Sequence, residues 1–432
     1  MAMVVKNNMS AVRTLNTLNT NQSNLQKSLT KVASGMKINS AQDNASDYAI
    51  SERMRVRIRS LDQANQNRQN DSSLMKTAEG AVSNTIEILK ALKDKAINSA
   101  NDSNTDEDRQ TIQKEVDQLI DQIDDNALVQ FNGKYLVDGS KNNVVSSSKT
   151  ILLNQSLATN TVSDSALSAL NNRAGDALEI QSTDKYTVSW VMNGITSTTS
   201  GTVGTVKLSD LLSKAGTFSL QSDTSPTPIG TDKFNVQVYT PDKSSGIALV
   251  AKTAGSTCQI SGFTISITDS DGNVKKAANA ALDQFKQYQR AETPTGDNAL
   301  TFHVGSEANV AIKVGMGDMR AEALGLKGTT GERLSVTTKQ NANAAINVIE
   351  NALAKALDQQ TTIGAIEARL EYTSANLTTS SENVQASEST IRDADMAKEM
   401  TNYTKNNVLL QSAQAMLAQA NQNSSAVLSL LQ

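Results

Sequence analysis

Seven apolar residues in the last quarter of the chain, Ile349, Ala356, Ile363, Leu370, Leu377, Val384 and Ile391, follow one another at intervals of seven. A position kept on a 3.5-residue period over that distance predicts one long helix, lying at a shallow angle on partner helices. The companion positions are weaker, Ala352 and Ile366 but also Gln359 and Thr373, which points to packing within a bundle and not to a free two-stranded zipper. Proline placement supports length. Pro226, Pro228, Pro241 and Pro294 all lie toward the middle, with the sole tryptophan, Trp190, and the sole cysteine, Cys258. Both ends are therefore open to uninterrupted helices.

The N-terminal end carries its own stripe, Val5, Met9, Val12, Leu15, Leu18, Gln22, Leu25, Leu29, Val32 and Met36, at steps of three or four. It reads as one narrow helical seam. Gly35 and the polar run Asn39 to Asn44 break it, and Asn44 or Ser46 is an N-cap for a second helix starting near Ala45. Ile50, Met54, Ile58 and Leu61, then Leu74 through Ala96, continue the pattern; after a loop at Asn101–Thr105, Ile112, Val116, Leu119 and Ile123 mark another helix. A final helix follows Asp393-Ala394-Asp395, with Met396, Met400, Tyr403, Leu410, Met416, Leu417, Leu428 and Leu431.

Between about 140 and 298 Ser, Thr and Gly dominate and apolar residues alternate as in strands: Tyr186, Val188 and Trp190 before Asn193-Gly194; Phe234, Val236 and Val238; Phe263, Ile265 and Ile267 before Asp271-Gly272. One helix is expected there, from about Lys275 to Arg290. Beyond it, Leu300, Phe302 and Val304 oppose Val310, Ile312 and Val314 across a short turn, which predicts a hairpin. The fold class expected is a mainly α core, a coiled-coil-like bundle built from both termini, with a β-hairpin and a central β-rich inserted domain.

Composition narrows function. A single histidine, His303, leaves no two-histidine zinc helix, and its place on a predicted strand favours a structural or surface role. Cys258 alone supports neither a disulfide framework nor a cysteine zinc cage. No phosphate-binding glycine loop occurs, the acids of Asp102–Asp108 lack calcium-loop spacing, and Arg53, Arg55, Arg57 and Arg59 spread around a helix. No catalytic, cofactor or metal residue is expected, and no enzyme. A net charge of −4 gives no reason to expect nucleic acid, and no apolar run is long enough to span a membrane. The terminal stripes remain. The segment through Asn44 holds five Lys or Arg and one Asp, and Met396 to Gln432 two Lys and one Glu. Such weakly charged helices are marginal alone and suit packing among copies of themselves, ordered in a polymer.

At both ends the sequence closely resembles bacterial flagellin. LTKVASGMKINSAQDNASDYAISERM (Leu29 to Met54) looks like the family's N-terminal signature; AINSAN, IQKEVDQLIDQID and QFNG (130–133) resemble its outer core. LTFHVGSEANVAIKV and DMRAEALGL resemble its hairpin and return linker, and the run from STIRDADMAKEM, which begins at Ser389, to LSLL resembles its C-terminal signature. The resemblance implies five segments: 1–44, N-terminal inner-core helix; 45–142, N-terminal outer-core helices; 143–297, a variable surface-exposed β-rich domain; 298–390, hairpin and C-terminal heptad helix of the outer core; 391–432, C-terminal inner-core helix. It implies a secreted structural subunit that polymerises with itself into the filament used for motility. Export would run through the flagellar type III apparatus, with a chaperone on the C-terminal arm, folding at the tip beneath a cap, and contact with hook-junction proteins. Rival readings are a hook–filament junction protein and a flagellin with an enzymatic insert. Toll-like receptor recognition in this family centres on a surface that corresponds to Ala91, Lys93, Asp94, Lys95 and Glu115. Detected flagellins align Arg and Leu with Ala91 and Lys95, so weak detection is expected. The insertion here also precedes the hairpin instead of following it.

Overall fold

The computed structural model describes residues 8–221, 228–241 and 244–429. Val5 and Leu431 lie outside the described residues, as does the side chain of Leu428. In chain order come α1 (Met9–Ser34), α2 (Ala45–Ala100) and α3 (Asp106–Ala127), then β1 (Gln130–Phe131), β2 (Lys134–Tyr135) and β3 (Ile151–Asn154). β4 (Lys185–Met192), β5 (Ile195–Thr202), α4 (Leu208–Leu212), β6 (Thr217–Gln221), β7 (Gly230–Thr231), β8 (Gln237–Val238), β9 (Gly246–Val250), β10 (Ile260–Thr268), α5 (Lys276–Leu282) and β11 (Lys286–Gln289) fill the middle. β12 (Leu300–His303), β13 (Ala311–Val314), α6 (Lys339–Arg392) and α7 (Met396–Ser429) close the chain. The fold is a mainly helical core with a hairpin and small central sheets.

Two compact units divide these elements, the first Met1–Asn67, Val304–Val310 and Tyr372–Gln432, the second Arg68–His303 and Ala311–Glu371. In the first, α1 starts at Asn8, whose side chain accepts from the Ala11 amide, and stops at Gly35, whose φ of 71° is the left-handed turn that glycine adopts without strain. Asn44 caps α2 by accepting from the Ser46 and Asp47 amides at 3.1 and 3.2 Å. Leu61 and Ala64 form a small cluster with Leu377 and Val384 of α6.

The second unit buries Leu74, Met75, Ala78, Val82, Leu89 and Leu92 of α2, Ile112, Val116, Ile120 and Ile123 of α3, and Ile349, Ala356, Ile363 and Leu370 of α6. Thr105 begins α3 with a reciprocal capping box to Asp108. The buried Arg109 closes the α2–α3 turn, donating to Ser99 O at 3.0 Å, Asn101 O at 3.1 Å and Asp106 Oδ1 at 3.1 Å. Two antiparallel sheets, ordered β10-β4-β5 and β11-β3-β9-β6, make the β-rich part. Their shared core includes Leu152, Val188, Leu249, Phe263 and Ile265, with the Phe263 and Phe285 rings edge-to-face at 5.1 Å. Asn193 and Gly194, at φ 52° and 75°, turn β4 into β5. In the hairpin Leu300 pairs Val314 and Phe302 pairs Ile312, the register that alternation predicts.

Two local expectations change. The helix expected over Lys275–Arg290 ends at Leu282, and Lys286–Gln289 forms a strand on β3 instead. Asn279 and Asp283 accept the Ile267 and Ile265 amides at 2.6 and 3.2 Å, fastening the helix to β10 and freeing the next residues to extend the sheet. The strand through Phe234, Val236 and Val238 shrinks to Gln237–Val238, because Asp232 accepts the Phe234 and Val236 amides, both at 2.8 Å, and winds the segment into a turn.

β10 is set directly on α6. Asn351 and Asn347 donate to Ser261 O and Phe263 O at 2.7 and 3.2 Å. A Cβ on Gly262 would meet Val348 Cγ2 at 2.7 Å and Ala344 O at 2.9 Å. The β-rich part is therefore a packed component of its unit. Gly262→Val is expected to destabilise that unit by about 1–3 kcal/mol through overpacking. Calorimetry would register a lowered Tm, while an unchanged Tm would mean that α6 yields at no cost.

Candidate assembly surface on the terminal arms

α1 and α7 pair antiparallel, as three polar bridges fix. Asn8 donates to Ala420 O at 3.2 Å, Asn21 to Leu409 O at 3.2 Å, and Asn406 to Ser28 Oγ at 3.0 Å. The inward positions of α1 recur on a heptad, Ala11, Thr14, Leu18, Asn21, Leu25, Ser28 and Val32; those of α7 are Glu399, Tyr403, Asn406, Leu410, Ala413, Leu417 and Ala420. Only Ser28 and Ala413 are fully buried among them. The seam is thin, and asparagine and serine set its register.

The single stripe read from the sequence is thus two faces. Leu18, Leu25, Val32 and Leu417 are half-buried in the seam. Met9, Val12, Leu15, Leu29 and Met416 are 58%, 47%, 45%, 51% and 62% exposed. Met396, Met400, Val408 and Leu409 of α7 are exposed with them. Met36 is half-buried in the turn after α1. Large apolar side chains exposed in this density make this face a candidate interaction surface.

The root of the two arms is held by Arg392, which sequence reasoning passed over. Its guanidinium is buried, donates to Glu52 Oε1 at 2.6 Å and to Ser51 Oγ at 3.4 Å, and stands 5.5 Å from the centre of the Tyr48 ring. Main-chain bonds run alongside, from Lys37 N to Arg392 O at 2.8 Å and from Ala394 N to Gly35 O at 2.9 Å. Arg55 adds a bond to Glu388 at 2.9 Å. The Arg392 hydrogen bond, more than the charges of Arg392 and Arg55, holds the Glu52 carboxyl below its ordinary value. The residue type at a helix end, after an apolar heptad, was the only available signal.

The heptad of α6 is buried from Ile349 to Leu377, with Val384 and Ile391 half-buried. On the α2–α3 face, Lys95 pairs with Glu115, and Lys93 Nζ reaches Glu350 Oε1 at 2.8 Å. Ala91 is half-buried and Asp94 exposed. Among the described residues no group of three or more His, Cys, Asp or Glu could hold a metal, and no helix is long and apolar enough to cross a membrane.

These arms match known families. Residues 5–142 fit the bacterial flagellin N-terminal helical region and residues 346–431 the bacterial flagellin C-terminal helical region. A flagellin of Clostridium tyrobutyricum is 35% identical over 97% of this chain and 99% of its own length. The chain belongs to the flagellin family. A Bacillus subtilis flagellin is 29% identical over 99% of this chain and all of its own. The flagellar filament 33 kDa core protein of Treponema phagedenis is 28% identical over 99% of this chain and 100% of its own. A flagellar hook-associated protein-3 of Legionella pneumophila overlays 78% of this chain and 97% of its own at 16% identity and a TM-score of 0.33, too low to carry an argument. As a flagellin, this chain is a structural subunit of a filament.

In this flagellin Arg392→Met removes the charge-assisted bonds at the arm root, and weaker docking of the arms is expected. Since the Glu52 pKa is lowered by folding, its contribution is present above the ordinary value of 4.5 and disappears as pH falls through the lower folded value. Arm melting followed by circular dichroism from pH 7 to pH 3 should therefore soften in the parent and change less in Arg392→Met. Identical pH profiles would contradict the assigned role.

Proposed function

We propose that this flagellin polymerises through the uncovered apolar faces of α1 and α7, which come together only between copies. What carries the reading is the exposure of Met9, Val12, Leu15, Leu29 and Met416 on helices whose own pairing seam is thin. The sparse charge of both arms permits close approach without buried ions. The arms are marginal alone and ordered in the polymer, which suits passage of an unfolded subunit through the flagellar type III apparatus, with a chaperone covering the C-terminal arm. Folding then takes place under the cap at the tip of an extracellular filament. The role is structural and non-catalytic, and the segments 1–44 and 391–432 act as inner core, 45–142 and 298–390 as outer core.

Val12→Asp and Met416→Asp test this without touching the intrachain seam. Each buries an unpaired carboxylate in the polymer alone, so the critical concentration for assembly should rise at least ~30-fold, as ~2 kcal/mol or more per contact implies. Monomer helicity should stay unchanged. Sedimentation and electron microscopy of purified protein read the result; filaments at parental concentration would remove these faces from the interface.

A second proposal concerns animal Toll-like receptor detection, which we expect to be weak. Ala91 offers none of the five donors of an arginine anchor, and Lys95 holds Glu115 in an ion pair that a receptor would have to break. Ala91→Arg with Lys95→Leu frees Glu115 and should raise reporter-cell potency of the monomer about 10-fold or more, if one anchor is restored. Full potency in the parent chain would refute the assignment.

A further inference from the structure

The three-stranded sheet β10-β4-β5 has one closed edge and one open edge. Side chains close the outer edge of β10. Asn351 and Asn347 donate to Ser261 O and Phe263 O at 2.7 and 3.2 Å, and Asp283 and Asn279 accept the Ile265 and Ile267 amides at 3.2 and 2.6 Å. Asn279 also donates to Ile267 O at 3.3 Å. The opposite edge is β5. Its pairing with β4 through the two-residue turn at Asn193-Gly194 sets alternate residues toward β4, so the main-chain groups of Thr196, Thr198, Ser200 and Thr202 point away from it. Among the described residues no hydrogen bond reaches those groups. Open edges are ordinarily protected by lysine, proline, a bulge or a covering element. β5 pairs with β4 from Ile195 to Thr202 without a register shift, holds neither charge nor proline, and lies in a stretch that is uncharged from Tyr186 to Val206. Thr198, Ser200 and Thr202 are exposed.

We propose that β5 pairs antiparallel with β5 of a second copy of this chain. A row of free N–H and C=O groups is matched by another strand. The second copy supplies one of the same length whose own edge is equally open, and with no charge on either strand nothing repels it. Bonding requires outward residues to face outward residues, and the register centred on Thr199 uses all of them, with Thr196 opposite Thr202 and Thr198 opposite Ser200. Opposed Thr and Ser side chains add hydrogen bonds of their own. The two sheets then run on as one across a twofold axis. A foreign strand is the less favoured occupant, because the small hydroxyl side chains of β5 select no particular foreign sequence. β5 belongs to the second unit and α1 and α7 to the first, so this pairing and polymerisation through the arms stand or fall separately.

Disulfide trapping in the full chain tests it. In a Cys258→Ser background, Thr199→Cys sets two thiols opposite one another on the twofold axis at a Cα separation of ~4.5 Å, within the span of a disulfide. Thr198→Cys sets them on a diagonal at about 7–8 Å, beyond that span, although Thr198 is the more exposed position. Under mild oxidation the Thr199→Cys chain should form covalent dimer at least ~10-fold faster than the Thr198→Cys chain, with the linked peptides identified by mass spectrometry. Both chains share any association through the arms, so the ratio reads β5 alone. Adding Ser200→Pro or Ser200→Lys to the Thr199→Cys chain should slow trapping at least ~10-fold with thermal unfolding as in the parent, since a solvent-facing edge accepts either residue. Should proline lower the Tm, the lysine variant decides. Equal rates for Thr199→Cys and Thr198→Cys, or a rate indifferent to the Ser200 variants, would overturn the pairing. So would a cysteine-bearing Thr/Val peptide that traps on the Thr199→Cys chain faster than a second copy does.

Discussion

Two helices separated by most of the chain close on one another through a seam that is too thin to be self-sufficient. α1 and α7 meet through Leu18, Leu25, Leu410 and Leu417, diluted by Thr14, Asn21, Ser28 and Asn406. Polar residues at inward heptad positions fix register at a cost in stability. The large apolar side chains that would have strengthened the pair, Val12, Leu15, Leu29 and Met416, are turned outward. A subunit built this way holds its arms in one alignment and leaves their largest apolar side chains open to the contacts proposed between copies. The anchoring at Arg392 follows from the same constraint, since a weak seam needs a firm root if the arms are to be presented in a fixed register.

The second unit works differently. Its three helical segments bury large aliphatic residues continuously, from Leu74 to Leu92, Ile112 to Ile123 and Ile349 to Leu370. β10 is fastened to α6 by Asn347 and Asn351 and by the close approach at Gly262. This unit has a core of its own and does not depend on neighbours for one. Stability that is complete in one unit and deferred in the other is what a subunit needs if it is to be stored as a monomer and ordered on addition to a polymer.

Long periodic helices were legible in the sequence because period and proline placement agree over many turns. The heptad from Ile349 to Ile391, the Asn44 cap and the hairpin register from Leu300 to Val314 are all matters of local pattern. The division of the N-terminal stripe into two faces was not legible, since steps of three and four fit either face and the inward positions include asparagine and serine. The helix expected through Arg290 failed because Asn279 and Asp283 bond to β10, a partner distant in sequence. Arg392 went unnoticed for the same reason: its partners, Tyr48, Ser51 and Glu52, lie on a helix that sequence alone does not bring to it.

Hydrogen exchange measured by mass spectrometry, on monomer and on filament under one buffer, tests the central claim most directly. Amides of 9–34 and 396–429 should exchange at least ~100-fold faster in the monomer than in the filament, as ~3 kcal/mol of interface stabilisation implies. Amides of 74–92 and 349–370 should be strongly protected in both states. Equal protection of the arms in monomer and filament would contradict it, because the α1–α7 seam would then be sufficient by itself.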